Sequence, residues 1–233
     1  GQRLGNDPPA LEDAPGDGAM PDQLVQFDRP LAPVVVSNIS PSTSLDAVAL
    51  TFASFGAFLK RRLRLLDSRD GETRYCFVHY FLRASAHAAV RAGQQPLHLD
   101  GRQLRLRWAR DGPVDERAPL GAQECVDMAN HFWGFNGWAT ELVAVKREGS
   151  AWSATVALVV RSFGVRVEGA AANVTSDEHD QSDAMNAAMK RAIADARVQA
   201  FRRLLLCTLD GQCAHIAVAP VAETRFQEGL PPG

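Results

Sequence analysis

The chain has 233 residues, of which 46% are hydrophobic and 22% are charged, and its formal net charge is −2. These values are typical of a soluble globular protein with one large or two modest domains. No run approaches the roughly 20 apolar residues of a membrane span, and the first residues do not resemble a secretory signal. Four cysteines without a CxxC pair and six histidines without metal-ligand spacing argue against a zinc finger. We therefore expect an intracellular protein with no metal and no cofactor.

Positive charge is concentrated in the N-terminal half of the sequence. Residues 31–110 contain 12 Lys and Arg against 5 Asp and Glu, a balance of +7, whereas the rest of the chain has a balance of −9. So much positive charge on one small domain is typical of a protein that binds a polyanion. The plainer alternative is an arginine-rich surface that serves solubility alone.

The first part of the chain alternates between predicted strands and helices. Residues 1–30 are rich in Gly, Pro and Asp, which predicts a disordered leader, and Met20 is an alternative start. Strands are predicted at 34–36, 58–66, 75–81 and 104–108, with helices beginning at Ser44 and Ser85. The resulting order over residues 31–110 is β-α-β-β-α-β, a split βαβ domain of the ferredoxin-like type.

A second unit follows a predicted linker at residues 111–121, which contains Asp, Gly and two Pro. We predict a short helix, strands within 140–146 and 153–167, and a long helix from Asp183 to about residue 206. This second domain spans residues 122–212, and residues 213–233 form a C-terminal tail. The chain as a whole is therefore predicted to belong to the α+β class.

The third predicted strand of the first domain carries aromatic residues on both faces. Because side chains alternate across a strand, Tyr75, Phe77 and His79 share one face, and the opposite set suits the core. Arg105 and Arg107 are expected on the same open face. Exposed rings on neighbouring positions of a sheet favour stacking with bases or with a partner's side chains. The second predicted strand adds three further basic candidates: Lys60, Arg62 and Arg64.

These residues resemble the RNA recognition motif family. Residues 73–80 (TRYCFVHY) match the family's octamer at its three aromatic positions and its valine, and residues 34–39 (VVVSNI) match its hexamer. The resemblance implies base stacking at Tyr75 and Phe77, with Val35 in place of the usual aromatic residue. Thr73 and Arg74 also depart from the octamer. Such domains bind proteins as well, and we favour nucleic acid over protein.

Two features of the second unit are candidates for binding. Residues 128–138 (MANHFWGFNGW) form either a helix end whose rings cap a core or a loop whose rings, Trp133 and Phe135, are held for stacking. The long helix has an apolar stripe of Met185, Met189, Ile193, Ala196, Ala200 and Leu204. A separate basic arc consists of Lys190, Arg191, Arg197 and Arg202.

The second unit is similar to the DNA-binding core of the Rad52 family, the single-strand-annealing proteins of recombination. The similarity lies in residues 127–130 (DMAN) running into residues 133–138 (WGFNGW), followed by strands and a long helix. It implies a β-β-β-α domain in which Phe135 takes the place of a DNA-contacting tyrosine and Arg202 keeps a basic position. Glu124, Val198 and Gln199 replace basic residues of the family. The combination of both halves resembles a vertebrate type of two-domain protein linked to recombination and the DNA damage response.

We therefore expect a non-enzymatic protein that binds single-stranded DNA, and also RNA, in recombination and double-strand break repair. The resemblance implies a nuclear location, with cytoplasm and nucleolus as further sites, and homo-oligomers or recombination proteins as partners. No membrane or small-molecule substrate is expected. The alternative is an interaction module that binds itself or recombination factors through the sheet and the aromatic loop. An enzyme is the third class, because His179 with its acidic neighbours at 177, 178 and 180 is typical of a solvated loop.

Overall fold

The computed structural model describes residues 23–28, 33–109, 118–174 and 181–219. Its strands are β1 Gln23–Gln26, β2 Val34–Ile39, β3 Leu66–Asp67, β4 Arg74–Val78, β5 His98–Leu99, β6 Arg102–Gln103, β7 Arg105–Trp108, β8 Trp138–Glu148, β9 Ala151–Val160, β10 Val165–Val174, β11 Leu204–Leu209 and β12 Gln212–Val218. Its helices are α1 Leu45–Ala53, α2 Arg83–Ala92, α3 Ala122–Trp133 and α4 Gln181–Arg202. None of the helices in these ranges is long and apolar enough to cross a membrane.

The N-terminal domain, residues 33–109, has the predicted split βαβ architecture. Its sheet has the order β3-β4-β2-β7, and α1 and α2 pack on one face. The Ser44 hydroxyl caps α1 by accepting a hydrogen bond from the Ala47 amide at 3.1 Å, as its position before the apolar run predicts. The core face contains alternate residues of the central strands: Val34, Val36, Cys76 and Val78. The predicted α+β class is confirmed.

The second predicted strand is mostly absent. Only Leu66 and Asp67 pair with β4, and Lys60–Arg62 form a short 3-10 helix. The apolar alternation of 58–66 has another origin, because Leu59 is buried in the core of the second domain whereas Leu63 is buried in the core of the first. A sequence pattern that serves two cores can therefore imitate a strand.

The C-terminal domain is built around an antiparallel sheet of order β10-β9-β8. Helix α4 packs on this sheet through small side chains, with Ala154 and Val156 against Ala192 and Ala196. The prediction that the helix continues to about residue 206 is wrong, because the chain from Leu204 onward becomes strand β11. Ala196 and Ala200 of the predicted apolar stripe are buried in the helix, whereas the residue at 204 is buried in the strand.

Both predicted ends of the chain contain structure that the sequence patterns missed. Strand β1, placed by prediction in the disordered leader, pairs with β11 so that Val25 lies opposite Leu206. Phe27 is fully buried, and its ring centroid lies 5.0 Å from that of Phe201. Strand β12, placed by prediction in the tail, pairs with the other edge of β11. The sheet β1-β11-β12 thus joins residues from the two ends of the described chain.

One hydrophobic cluster contains residues of both domains. Leu59, Phe81 and Leu82 of the N-terminal domain belong to the same buried cluster as Cys125 and Met128 of α3. The two chain segments that connect the domains lie side by side, since the Leu120 amide donates to the Asp28 carbonyl at 3.2 Å. We call this contact region the inter-domain seam. Residues 111–117 of the predicted linker and the His179 cluster lie outside the described residues.

Candidate nucleic-acid interface

The outward face of the N-terminal sheet brings together five of the predicted site residues. Strand pairing places Val35 of β2 between Phe77 of β4 and Arg107 of β7. Two residues further along β2, Ser37 pairs with Arg105 of β7. Both arginines are exposed, as predicted. We refer to Val35, Tyr75, Phe77, Arg105 and Arg107 as the sheet face.

The aromatic part of the sheet face is more covered than expected. The Phe77 side chain is 7% exposed, and Val35 beside it is also buried. Tyr75 is half-buried, and its ring meets that of Phe77 edge to face with 5.9 Å between centroids. Adjacent apolar residues on the two central strands cover each other, which strand alternation alone does not predict. The expectation of two open rings on this face is therefore wrong for Phe77.

His79 is also buried, contrary to the expectation of an exposed position. It lies just beyond the end of β4, where the chain enters the inter-domain seam, and its carbonyl accepts from the Leu59 amide at 2.8 Å. The core side of the alternation is correct, since the Tyr80 hydroxyl donates to the Phe52 carbonyl at 3.1 Å inside the first core. The His79 side chain lies close enough to Glu124 of the second domain for its charge to act on that carboxylate, which places it at the seam.

The three basic candidates at 60, 62 and 64 have different fates. Lys60 and Arg64 are exposed. Arg62 instead pairs with Glu124 through two hydrogen bonds, Nε to Oε1 at 2.5 Å and Nη2 to Oε2 at 2.8 Å. Their side chains are 12% and 14% exposed. Arg62 therefore connects the domains and does not face solvent as its predicted strand position implied.

The loop after α3, residues 134–138, presents one ring to solvent, and we call it the aromatic loop. Gly134 ends the helix with φ of 73°, a left-handed conformation that favours glycine. The next residue, Phe135, is 84% exposed. Of the two interpretations left open by the sequence, the loop geometry supports a held, exposed ring at Phe135.

Packing on both sides holds the aromatic loop in place. A Cβ on Gly137 would lie 1.9 Å from the Trp133 carbonyl oxygen, so no larger residue fits. The Arg161 amide donates to the Gly137 carbonyl at 3.1 Å, and the Trp138 indole donates to the Asn130 side chain at 3.0 Å. The prediction that Trp133 is also held for stacking is wrong, because its ring is buried against Phe27.

The basic arc of α4 is partly accessible. Lys190 and Arg191 are exposed, whereas Arg197 and Arg202 are half-buried. Burial raises the pKa of the Cys125 thiol to about 12. Arg202 lies close enough to α3 for its positive charge to oppose this rise. Val198, at one of the replaced basic positions, is buried, and Gln199 is exposed.

The described part of the chain contains no candidate metal-binding site. Among those residues, no group of three or more His, Cys, Asp or Glu side chains is arranged to hold a metal ion. The functional feature that sequence reasoning missed is the pairing of Arg62 with Glu124. The sequence showed a reversed charge at Glu124 and a basic candidate at Arg62. No local pattern indicated that these two residues are paired.

Comparisons with known proteins match both halves of the chain. The family model of the RNA recognition motif matches residues 34–105, and that of the Rad52/22 family double-strand break repair protein matches residues 99–211. RAD52 motif-containing protein 1 of Gallus gallus is 23% identical over 199 residues, which are 76% of this chain and 72% of that protein. The protein of the same name from Danio rerio is 30% identical over 74 residues, 31% of this chain and 26% of that protein.

Solved structures add similarities to the first half. The Pes4 RRM3 structure is 17% identical, covers 36% of this chain and 96% of its own, and has a TM-score of 0.31. A structure of the Rna15 RRM with bound RNA is 16% identical, covers 36% of this chain and 88% of its own, and has a TM-score of 0.30. The two family matches of the sequence confirm the predicted pairing of two known domain types.

Proposed function

We propose that this chain, which combines an RNA recognition motif with a Rad52/22 family domain, binds single-stranded nucleic acid and acts in DNA recombination and double-strand break repair. The observation that carries the proposal is the exposed ring of Phe135 on a loop fixed by Gly137 and Trp138. A rigid exposed ring loses little freedom when a base stacks on it, so most of the stacking energy is available for binding.

Positive side chains supply the contacts with phosphates. Lys190 and Arg191 of α4 and Arg105 and Arg107 of the sheet face are exposed. Lysine and arginine contacts with the backbone depend on salt because they release counterions from the strand. The sheet face contributes mainly charge and the half-buried ring of Tyr75, because Phe77 is covered. The first domain also makes RNA a ligand alongside DNA.

We propose a non-enzymatic role, since binding and annealing of strands make and break no covalent bond. The nucleus follows as the proposed location, because recombination occurs there, and imaging of the tagged chain in living cells tests it. Damage-response signalling and association with recombination proteins belong to the same proposal. Activity measurements with nucleotide and nucleic-acid substrates should therefore give no turnover.

A second candidate, an interaction module, has its own supporting observation. Strand β8 is an edge of its sheet, and its consecutive residues Leu142 and Val143 are exposed at a register shift. Exposed apolar residues on an unpaired edge favour pairing with another chain. Light scattering of the purified protein tests this candidate, since self-association through β8 gives a mass above that of one chain and is lost in Val143→Lys.

The main test replaces the exposed ring. Stacking contributes about 1–3 kcal/mol per base, so we expect Phe135→Ala to weaken binding of a labelled single strand about 5- to 150-fold. Fluorescence anisotropy at two salt concentrations measures the affinity and its salt dependence. Leu50→Ala is the matched control, because Leu50 is an exposed apolar residue on α1. Equal affinities for Phe135→Ala and the parent protein would overturn the stacking proposal.

A further inference from the structure

One face of α3 is directed at the N-terminal domain. Glu124, Asp127 and His131 recur at helical spacing, and each contacts a residue of that domain. Glu124 pairs with Arg62, and Asp127 accepts from Arg61 at 3.1 Å. The His131 ring centroid lies 5.2 Å from that of Phe81. This helix therefore forms the C-terminal side of the inter-domain seam.

The ion pair at the seam is covered and fully hydrogen-bonded. Besides Glu124, Arg62 donates to the carbonyls of Ala118 at 3.1 Å and Pro119 at 3.2 Å. Glu124 also accepts from the Gly121 amide at 2.9 Å. Arg62 thus connects the 3-10 helix of the first domain, the segment between the domains and α3. A covered charge that loses its partner is left without solvation, so this contact strongly favours one relative orientation.

Apolar packing around the ion pair reinforces that orientation. Leu59, Phe81 and Leu82 are buried against α3 residues Cys125 and Met128 in one cluster. Domains joined only by a flexible linker rotate independently, whereas a shared core opposes rotation. The residues at the seam therefore set how α3 is oriented on the first domain.

Helix α3 leads directly into the aromatic loop. Trp133 is its last residue, and Phe135 follows two positions later on a loop fixed to the same domain. The orientation of α3 consequently determines where the Phe135 ring lies relative to Arg105 and Arg107 of the sheet face. Any single strand that touches both surfaces must fit this spacing.

We propose that Arg62 and Glu124 are positioning residues that hold the sheet face and the aromatic loop as one composite site for a single strand long enough to contact both. This inference rests on the proposed function. Two sites held at a fixed spacing bind one long ligand more tightly than either site binds alone, because the second contact is intramolecular. The ion pair contributes to that gain without touching the strand.

The experiment compares long and short strands with the full chain. Glu124→Gln keeps the shape of the side chain and removes its charge. We expect it to weaken binding of strands of about 30 nucleotides roughly tenfold, while affinity for strands of about 6 nucleotides stays within about twofold of the parent protein. The double variant Arg62→Gln with Glu124→Gln should lose no more long-strand affinity than either single variant, because each change removes the same ion pair. Anisotropy measures both, and circular dichroism checks that each variant folds.

Three results would overturn the proposal. One is unchanged long-strand affinity in folded Glu124→Gln, and another is a folded double variant whose long-strand loss is the sum of the two single losses. The third is Glu124→Arg alone raising affinity for short and long strands alike, which would mean that position 124 acts on the ligand directly. If Glu124→Gln does not fold, Asp127→Asn weakens the more exposed second ion pair and must give a smaller loss for long strands only.

A measurement without nucleic acid separates this proposal from the proposed function. Residual dipolar couplings report the relative orientation of the two domains in the free protein. We expect one orientation in the parent protein and a shifted, less well-defined one in Glu124→Gln, because the apolar packing at the seam remains in the variant. If the parent protein bound no single strand, the proposed function would fail, yet the couplings would still test whether the ion pair fixes the orientation. Unchanged couplings in the variant would contradict the positioning role.

Discussion

The aromatic loop and the sheet face both carry rings, but they expose them to different degrees. Phe135 is 84% exposed and Phe77 is 7% exposed. The loop ring projects from a tight turn, whereas Phe77 has Val35 and Tyr75 beside it. In this protein the ring on the turn is open for a ligand, and the Phe77 ring on a central strand is buried. The two surfaces should therefore divide the work, with stacking at the loop and charge at the sheet.

The loop depends on a core that begins with the N-terminal strand, and Phe27→Ala tests that dependence. The fully buried Phe27 ring lies 5.6 Å from Trp133 and 5.0 Å from Phe201. We expect a loss of about 3–5 kcal/mol in the free energy of unfolding, because a large cavity forms. Urea denaturation measures it, with the exposed Leu24→Ala on the same strand as control. Equal stabilities for the two variants would mean that β1 is not integral to the C-terminal domain.

The turn itself is tested by Gly137→Ala. The added Cβ would collide with the Trp133 carbonyl, so the loop must shift, at a cost on the order of 2–4 kcal/mol in stability. Single-strand affinity should fall with it as Phe135 moves. Gly121→Ala is the control, because its Cβ meets only the Glu124 carboxylate at 3.9 Å. A Gly137→Ala protein with the stability and affinity of the parent would show that the turn does not fix the ring.

Tyr75→Ala and Phe77→Ala, compared with Phe135→Ala, test whether the aromatic loop contributes more stacking than the sheet face. We expect Tyr75→Ala to reduce binding by less than about 1 kcal/mol, the lower end for stacking, because its ring is half-buried. Phe77→Ala should mainly lower stability, by about 1–3 kcal/mol. Parallel anisotropy and denaturation measurements decide this. Should Tyr75→Ala lose more affinity than Phe135→Ala, the assignment of stacking to the loop would be reversed.

The smallest expected effect concerns the carboxyl group at the seam. Burial raises the pKa of Glu124, but hydrogen bonds from Arg62 and the Gly121 amide, with the charges of Arg62 and His79, outweigh burial and hold the pKa below its ordinary 4.5. The folded pKa is thus lower than the unfolded one. The stability it contributes is present above about pH 4.5 and is lost as pH falls through the folded pKa.

Carboxyl-detected NMR titration of the folded protein measures this pKa. In the parent protein the midpoint should lie below 4.5. In Arg62→Ala the hydrogen bonds and the positive charge of Arg62 are lost, so the midpoint should rise above that of the parent protein. A parent midpoint at or above the ordinary value would contradict the assigned ion pair.

Local patterns carried much of the prediction. The β-α-β-β-α-β order, the Ser44 cap and the core face of β4 depend on residues close together in the sequence, and they were correct. The helix end at Gly134 and the turn at residues 136–137 also followed from local signals, but these signals did not distinguish the exposed Phe135 from the buried Trp133. Strand β1 escaped notice because Val25 and Phe27 are too few apolar residues to indicate a strand, and their partner strand is about 180 residues away.

The sequence alone determined two domain types, a positively charged first half and an aromatic turn with Trp133 and Phe135 as candidate rings, because periodicity, turn residues and charge are properties of neighbouring positions. The tertiary structure decided which candidates face solvent. It buried Phe77, His79 and Trp133, and it paired Arg62 with Glu124, which lies 62 positions further along. Burial and ion pairing depend on which distant segments meet, and two domains that share a core place those segments together.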